Sequence, residues 1–527
     1  MYKKLSNNKY LKTLLIIIIL ILVSLNLFVV AHYYSFTSDD VSWQTILQTW
    51  SPFNKHVAVL GGSDNYILRL PLMYVFNHIF GFNKKALFIE GLLYEYAMYV
   101  FFFVSTFYFF KHFRTKYVNL SLIPILWLSS FGISFSIIFL NSNLRSFEVG
   151  FSFLFFALSF YLYKKNQINI DSIRNKLLLL TLSIISGIFI FNDPYFLYFT
   201  VVPIIALFIY LYLSKKIRPK NILIVLFYAM LSYLIYLIIQ KLVVHFNIII
   251  PFQEPVQFVS LNNLSKNITT GLKGVLLIFG ANFFGYNVFS LNAIDGVLNS
   301  LIILIFGYIL LKRTKIKKPD DVTEGVLFFG FLGLFNLVVY MLSNIIVDIT
   351  TYRYLIMLVL SVVMMLSLSI DSLDLKTRKI LILLLSGAIF LNFILTLRIL
   401  IEPNNSNINS SNTINLKTVR MISNLGIDKG YASYWNSDIN QYLSKGKIKF
   451  LPVYCLNNKT VPFYWLVDRN NYSIKVKSSF IIIDPTYPNP PTCDEAEVIK
   501  QFGIPKKIFT LGQETILIYN YDIIHSM

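Results

Sequence analysis

Eight residues stand where apolar runs of this sequence end, and their side chains are of the kinds that move protons and hold phosphates. Asp39 and Asp40 follow the first run. Arg145 and Glu148 flank a short turn further on, Asn192 and Asp193 nearly fill another, and Asp348 and Arg353 bracket a fourth. A carboxylate can take the proton from an attacking hydroxyl, and a guanidinium meets two oxygens of a phosphate at once. Ionisable groups beside hydrocarbon are costly and tend to be functional. Each also has a plainer reading. Asp39 or Asp40 can cap a following helix. Asp193 before Pro194 is a good helix start. Glu148 can pair with Arg145 one turn back, and Arg353 can hold a span at the headgroups or pair with Asp348.

The elements that must position these residues are membrane spans. Of the 527 residues, 56% are hydrophobic and 14% charged, against roughly 25% charged in soluble proteins. Apolar runs of about 18 residues or more can each cross a bilayer. Eleven spans are expected, at 13–31, 87–110, 118–140, 147–163, 177–191, 195–213, 221–241, 294–311, 325–347, 354–370 and 380–400. The first could pass for a signal peptide, but it is longer than a usual signal core and no small-residue cleavage site follows, so it counts as a span.

The net charge of +20 would suggest nucleic acid on a soluble protein. Here the basic residues gather in 1–12, 111–117, 164–176, 214–220, 312–318 and 371–379, alternating with loops poor in Lys and Arg. That asymmetry sets topology and leaves no nucleic-acid role: the N-terminus lies inside, and the C-terminal region and all eight residues lie outside a cytoplasmic (inner) membrane.

Two outer loops are long. In 32–86, Trp43, Ile46, Leu47 and Trp50 recur at helical spacing with Gln44, Thr45, Gln48 and Thr49 opposite, as in a helix lying in the membrane interface. Within it, 66–82 carries Arg69, Asn77 and His78 and is too polar for a confident span; in the loop 242–293, the apolar piece 271–284 is re-entrant or interfacial. The membrane domain therefore covers 1–400, a linker rich in Asn and Ser covers 401–415, and 416–527 is a small α/β domain. In that domain 478–484 reads as a strand, 494–502 as a helix and 507–520 as two strands around Gly512. Cys455 and Cys493 both fall there, either as a disulfide or as two free thiols. No metal-ligand spacing, phosphate loop, nucleophile motif or internal repeat is evident, and the missing repeat weighs against a transporter built from inverted halves.

Ser38-Asp39-Asp40 at the head of a long outer loop resembles the GT-C glycosyltransferases, the superfamily of the protein mannosyltransferases and the lipid A aminoarabinose transferases. Asn192-Asp193-Pro194, Tyr352-Arg353-Tyr354 and the stretch from Gly430 to Trp435 resemble bacterial relatives; Asp40 departs from the Glu that often follows the first acid. The resemblance implies a polyprenyl-phosphate-sugar donor entering from the bilayer and an envelope glycan, lipid or protein acceptor outside. It assigns catalysis to Asp39, as general base, and Asp40. Donor phosphate falls to Arg353 first and Arg145 second. Asp193, Glu148, Asn192 and Asp348 would orient sugar hydroxyls or hold a divalent metal. The competing readings are a transporter or lipid flippase, and a non-catalytic assembly protein for envelope polysaccharide.

Overall fold

The computed structural model describes residues 9–33, 38–49, 60–61, 70–81, 84–113, 115, 118–130, 146–164, 173–246, 250–251, 257–314, 320–346, 349–401, 410–486 and 491–524. It is 73% helical, with one small C-terminal sheet domain. Seven helices are long and apolar enough to cross a membrane. They are α1 (Lys9–Tyr33), α4 (Lys84–His112), α10 (Pro219–His245), α12 (Leu291–Thr314), α13 (Asp321–Leu342), α14 (Ile356–Ser369) with the 3-10 turn Ile349–Leu355 before it, and α15 (Leu375–Ile401). The other expected spans fall on shorter apolar helices: α5 (Val118–Ser121) with α6 (Ile123–Ser130), α7 (Ser146–Lys164), α8 (Ile173–Asn192), and a π-turn Leu197–Val201 running into α9 (Val202–Leu213).

Close approaches set the direction of each neighbour. Phe101, Phe102 and Phe109 of α4 meet Phe151, Phe153 and Phe160 of α7 in ascending order, so these two helices run parallel. A β-carbon on Gly150 would come 2.9 Å from Met98 Cα, so only glycine lets α7 lie this close to α4. Phe191 of α8 meets Tyr236 of α10, and Ser186 hydrogen-bonds Tyr228, again parallel. Gly325 faces Leu368 and Gly333 faces Leu358 and Ser361, which makes α13 and α14 antiparallel.

The interior is not purely apolar. Asn26 bonds the Ser129 carbonyl at 3.0 Å and accepts from Thr396 at 3.2 Å, tying α1 to α6 and α15. Such amide and hydroxyl bonds between helices replace water that hydrocarbon cannot supply.

The first long loop forms α2 (Ser38–Thr49) and α3 (Leu70–Phe80). Leu60 and Gly61 (β1) pair in parallel with Ile250 and Pro251 (β2) of the second loop. In that loop α11 (Leu261–Ile278) turns Asn267, Gly271 and Gly274 inward, against Met341, Tyr352 and the Ser343 carbonyl. Its end unwinds at Gly280 (φ 62°), where the Gly280 carbonyl accepts from Asn299, eight residues into α12. At about 1.5 Å per residue, the chain thus dips roughly 12 Å alongside α12. Gly280 and Ala281 therefore pack beside α12 rather than at its start.

The C-terminal domain matches its expected elements. Its sheet runs β5 (Lys459–Pro462), β4 (Lys449–Leu456), β3 (Lys429–Ala432), β6 (Ser479–Ile483), β8 (Glu514–Tyr519), β7 (Lys507–Leu511), with β4, β3 and β6 parallel. Helices α16 (Ser410–Asn424) and α17 (Tyr434–Leu443) cover one face and α18 (Glu495–Phe502) the other. Asp494 and Glu497 form a capping box at the start of α18, and Gly512 (φ 64°) turns the β7–β8 hairpin. Cys455 and Cys493 are bonded to each other, stapling β4 to the approach of α18. Helix α16 begins inside the expected linker, because Val419 and Ile422 with Ile414 form an apolar stripe that packs on the sheet.

Candidate outer-rim site

Three chain turns are joined by one carboxylate–amide bond and one ring stack. Glu148 stands in the first turn of α7 and is 4% exposed, held against α4 by the close approach at Gly150. The amide of Asn192, last residue of α8, donates to Glu148 Oε1. Asp193 Oδ1 then accepts the Tyr195 backbone N–H at 2.9 Å, an Asx-turn that starts the next helix as the capping reading expected. That cap aims Tyr195 at Tyr354, and their rings stack at 5.3 Å and 7°. Tyr354 carries the half-buried guanidinium of Arg353 over its ring at 5.4 Å. Asn336 of α13 fixes this 3-10 turn by donating to the Tyr354 carbonyl and accepting from the Leu358 N–H. Glu148, Asn192, Asp193 and Arg353 are therefore linked through two rings and one amide bond. Arg145 and Asp348 lie outside the described residues.

Helix α2 begins at Ser38, which puts Asp39 and Asp40 in its first turn, where carboxylates favour the positive helix end. Their side chains lie outside the description, and with them the assigned base. The expected position of this helix needs correction. Val41 to Leu47 are all buried, the polar face included, so this stretch of α2 faces protein on both sides rather than lipid. Its apolar face (Trp43, Ile46, Leu47) joins the membrane-domain core. On its other side Gln44 donates to Glu90 of α4 at 2.7 Å and accepts from Asn77 of α3, while Thr45 donates to Asp438 of α17 at 3.1 Å. Amphipathic spacing fits a lipid surface and a protein seam equally well; here two partners come from the next two helices and one, Asp438, from a domain almost four hundred residues away.

The C-terminal domain is thus seated on the membrane domain. Tyr434 and Leu466 belong to the large membrane core, and Val41 packs with Ile439 and Tyr442. Burial pushes the Tyr442 hydroxyl well above the usual phenol range, and the negative charge of Glu90 adds to the effect. Glu90 and Asp438, 3% exposed each, were not singled out from the sequence. Glu90 sits inside a run read as a span, and Asp438 in a domain without a motif. The one signal available for Glu90 was a carboxylate in the first turns of an apolar helix, the pattern that flagged Glu148.

Of the residues suggested to hold a divalent metal, Asp348 lies outside the described residues. Asn192 occupies Glu148, and Asp193 caps a turn. Among the described residues, the His, Cys, Asp and Glu side chains that cluster closely enough to share an ion are Cys455, Cys493 and Glu497, where the two sulfurs are already bonded to each other. No family model, no curated protein and no solved structure matches this chain.

Proposed function

We propose that this protein is a membrane glycosyltransferase of GT-C type, with eleven spans, its N-terminus inside and its C-terminal domain outside a cytoplasmic (inner) membrane. The observation that carries the reading is the junction of three outer turns through the Glu148–Asn192 bond and the Tyr195–Tyr354 stack, with Arg353 on its edge. The helix directions support the alternation of the spans. α4 and α7 run parallel, as do α8 and α10, and α13 and α14 run antiparallel, each as the basic-loop alternation requires.

In this reading a sugar on a polyprenyl phosphate enters from the bilayer. Asp39 takes the proton of an acceptor hydroxyl as its oxygen attacks the anomeric carbon, and the bond to phosphate oxygen breaks. Arg353 receives the charge that grows on the leaving phosphate. Glu148 and Asn192 hold the rim in shape. Purified protein given a polyprenyl-phosphate hexose should release polyprenyl phosphate and glycosylate an envelope acceptor. No release, or a cytoplasmic location for Ser38–Asp40 in reporter fusions, would reject it.

A second reading, a transporter or lipid flippase, draws on the descending α11. Asp295 of α12 is 6% exposed and bonds Asn299, which also holds the Gly280 carbonyl and accepts from Trp127. Broken helices beside a buried carboxylate are a transporter device. Asp295→Asn should leave transfer intact if the protein is a transferase and abolish substrate movement across proteoliposomes if it is a transporter.

A further inference from the structure

The seam between α2 and α17 contains buried polar atoms that the protein itself leaves unanswered. Tyr442 is 3% exposed, and its hydroxyl has no hydrogen-bond partner among the described residues. Asn77 is 1% exposed; its amide nitrogen donates to Gln44 and to the Met73 carbonyl, but its Oδ1 has no partner among them either. Both lie along α2: Tyr442 packs on Val41, and one turn later Gln44 is bonded to Asn77 and to Glu90. A buried polar group without a partner costs about 1–3 kcal/mol, so native proteins fill such places with water or ligand. These two open atoms are one O–H donor and one carbonyl acceptor, the pair that a single alcohol satisfies, and Ser42 Oγ of α2 and Asn440 Oδ1 of α17 are open as well. The ionisable carboxylates in the seam, Glu90 and Asp438, are both acidic, which disfavours a phosphate and suits a ligand rich in O–H donors.

We propose that this seam is a subsite for the hydroxyls of a sugar. Tyr442 donates to a sugar oxygen, Asn77 Oδ1 accepts from a sugar hydroxyl, and Glu90 anchors the group through Gln44. The C-terminal domain is then a wall of the binding site, because Tyr442 belongs to it. The ligand class rests on the transferase reading; the seam itself does not.

The full-length protein in lipid nanodiscs, titrated with farnesyl phosphate and with farnesyl-phosphate glucose, galactose and mannose, tests this. At least one hexose derivative should bind more tightly than farnesyl phosphate. Tyr442→Phe keeps the ring and its packing and should weaken that derivative about 2–10-fold, with farnesyl phosphate unchanged. Glu90→Gln should weaken it about 10–100-fold, again without touching farnesyl phosphate. Hexose derivatives that bind no better than farnesyl phosphate, or a Tyr442→Phe protein that binds them as the parent does, would mean that only water fills the seam and would overturn the proposal. Transfer with an unchanged KM in Tyr442→Phe would sink the subsite and spare the transferase. Hexose binding that needs Tyr442, without any transfer, would do the reverse.

Discussion

The two rims of the membrane domain bury carboxylates in different company. In the proposed topology the inner helix ends hold Glu324, which is 4% exposed and meets the Lys216 ammonium at 2.5 Å; close by, Arg313 donates to Thr323, and Asp320 caps the start of α13. At the outer ends Glu148 is met by the amide of Asn192 and Glu90 by that of Gln44. An ammonium cancels a carboxylate. An amide orients a carboxylate through one hydrogen bond. In the proposed function the inner rim is a fastening and the outer rim a site.

The largest effect expected from that contrast is at Asp39. If the outer face runs group transfer, Asp39→Asn should cut turnover by about 10²–10⁴, the usual worth of a general base, with expression and melting temperature unchanged. Normal initial rates in that variant would remove Asp39 as the base and leave the outer acids with a binding role only.

The contrast has a counterpart in the C-terminal domain. Glu514 is buried, accepts from the Thr418 hydroxyl at 2.8 Å, and feels Asp484 as a like charge. Burial, chiefly, pushes its pKa up to about 7 from 4.5, with Thr418 opposing and Asp484 reinforcing the rise. The folded state therefore binds this proton more tightly than the unfolded chain. The stability it gives is full below pH 4.5 and is lost as pH rises through 7, about 3 kcal/mol in all at 1.36 kcal/mol per unit. Urea melts of the domain signal in the full-length protein should show this loss between pH 5 and 8, and Glu514→Gln should flatten it. A parent curve already flat over that range would show that neutral donors do not leave a carboxylate hungry for protons here.

Next in size is Arg353. A charge-assisted contact to phosphate is worth about 1.5–3 kcal/mol, so Arg353→Ala should weaken binding of farnesyl phosphate about 10–100-fold. Arg353→Lys should recover part of it, since an ammonium offers the charge without the fork. Equal affinity in parent and Arg353→Ala would place the phosphate elsewhere on the rim.

Hydropathy was enough to draw seven helices long and apolar enough to span, and the strand at 479–483, the Asp494 cap and the Gly512 hairpin follow from short-range pattern alone. Pairing across the molecule was not legible. Gln44 and Thr45 carry no mark that separates a solvent-facing side from one that bonds Glu90 and Asp438. Asn299 reads as an incidental polar residue in α12 until Gly280 arrives beside it. The turns at Glu148, Asn192 and Arg353 were found because each breaks an apolar run. Their meeting depends on Tyr195 and Tyr354, aromatic residues among many in a chain with 34 Tyr and 48 Phe.

The smallest effect belongs to the inner rim and tests the contrast from its other side. Lys216 is 29% exposed, so its bond to Glu324 is screened and should be worth about 1–2 kcal/mol, less than a fully buried pair. Lys216→Met keeps the alkyl packing and removes the charge. It should lower the melting temperature by a few degrees and leave kcat and KM for any hexose donor as they were. The double variant with Glu324→Gln should regain part of the loss, because the uncompensated carboxylate goes with its partner. A fall in kcat without a fall in stability would mean that the inner rim takes part in turnover, and the division between a fastening rim and a working rim would have to be abandoned.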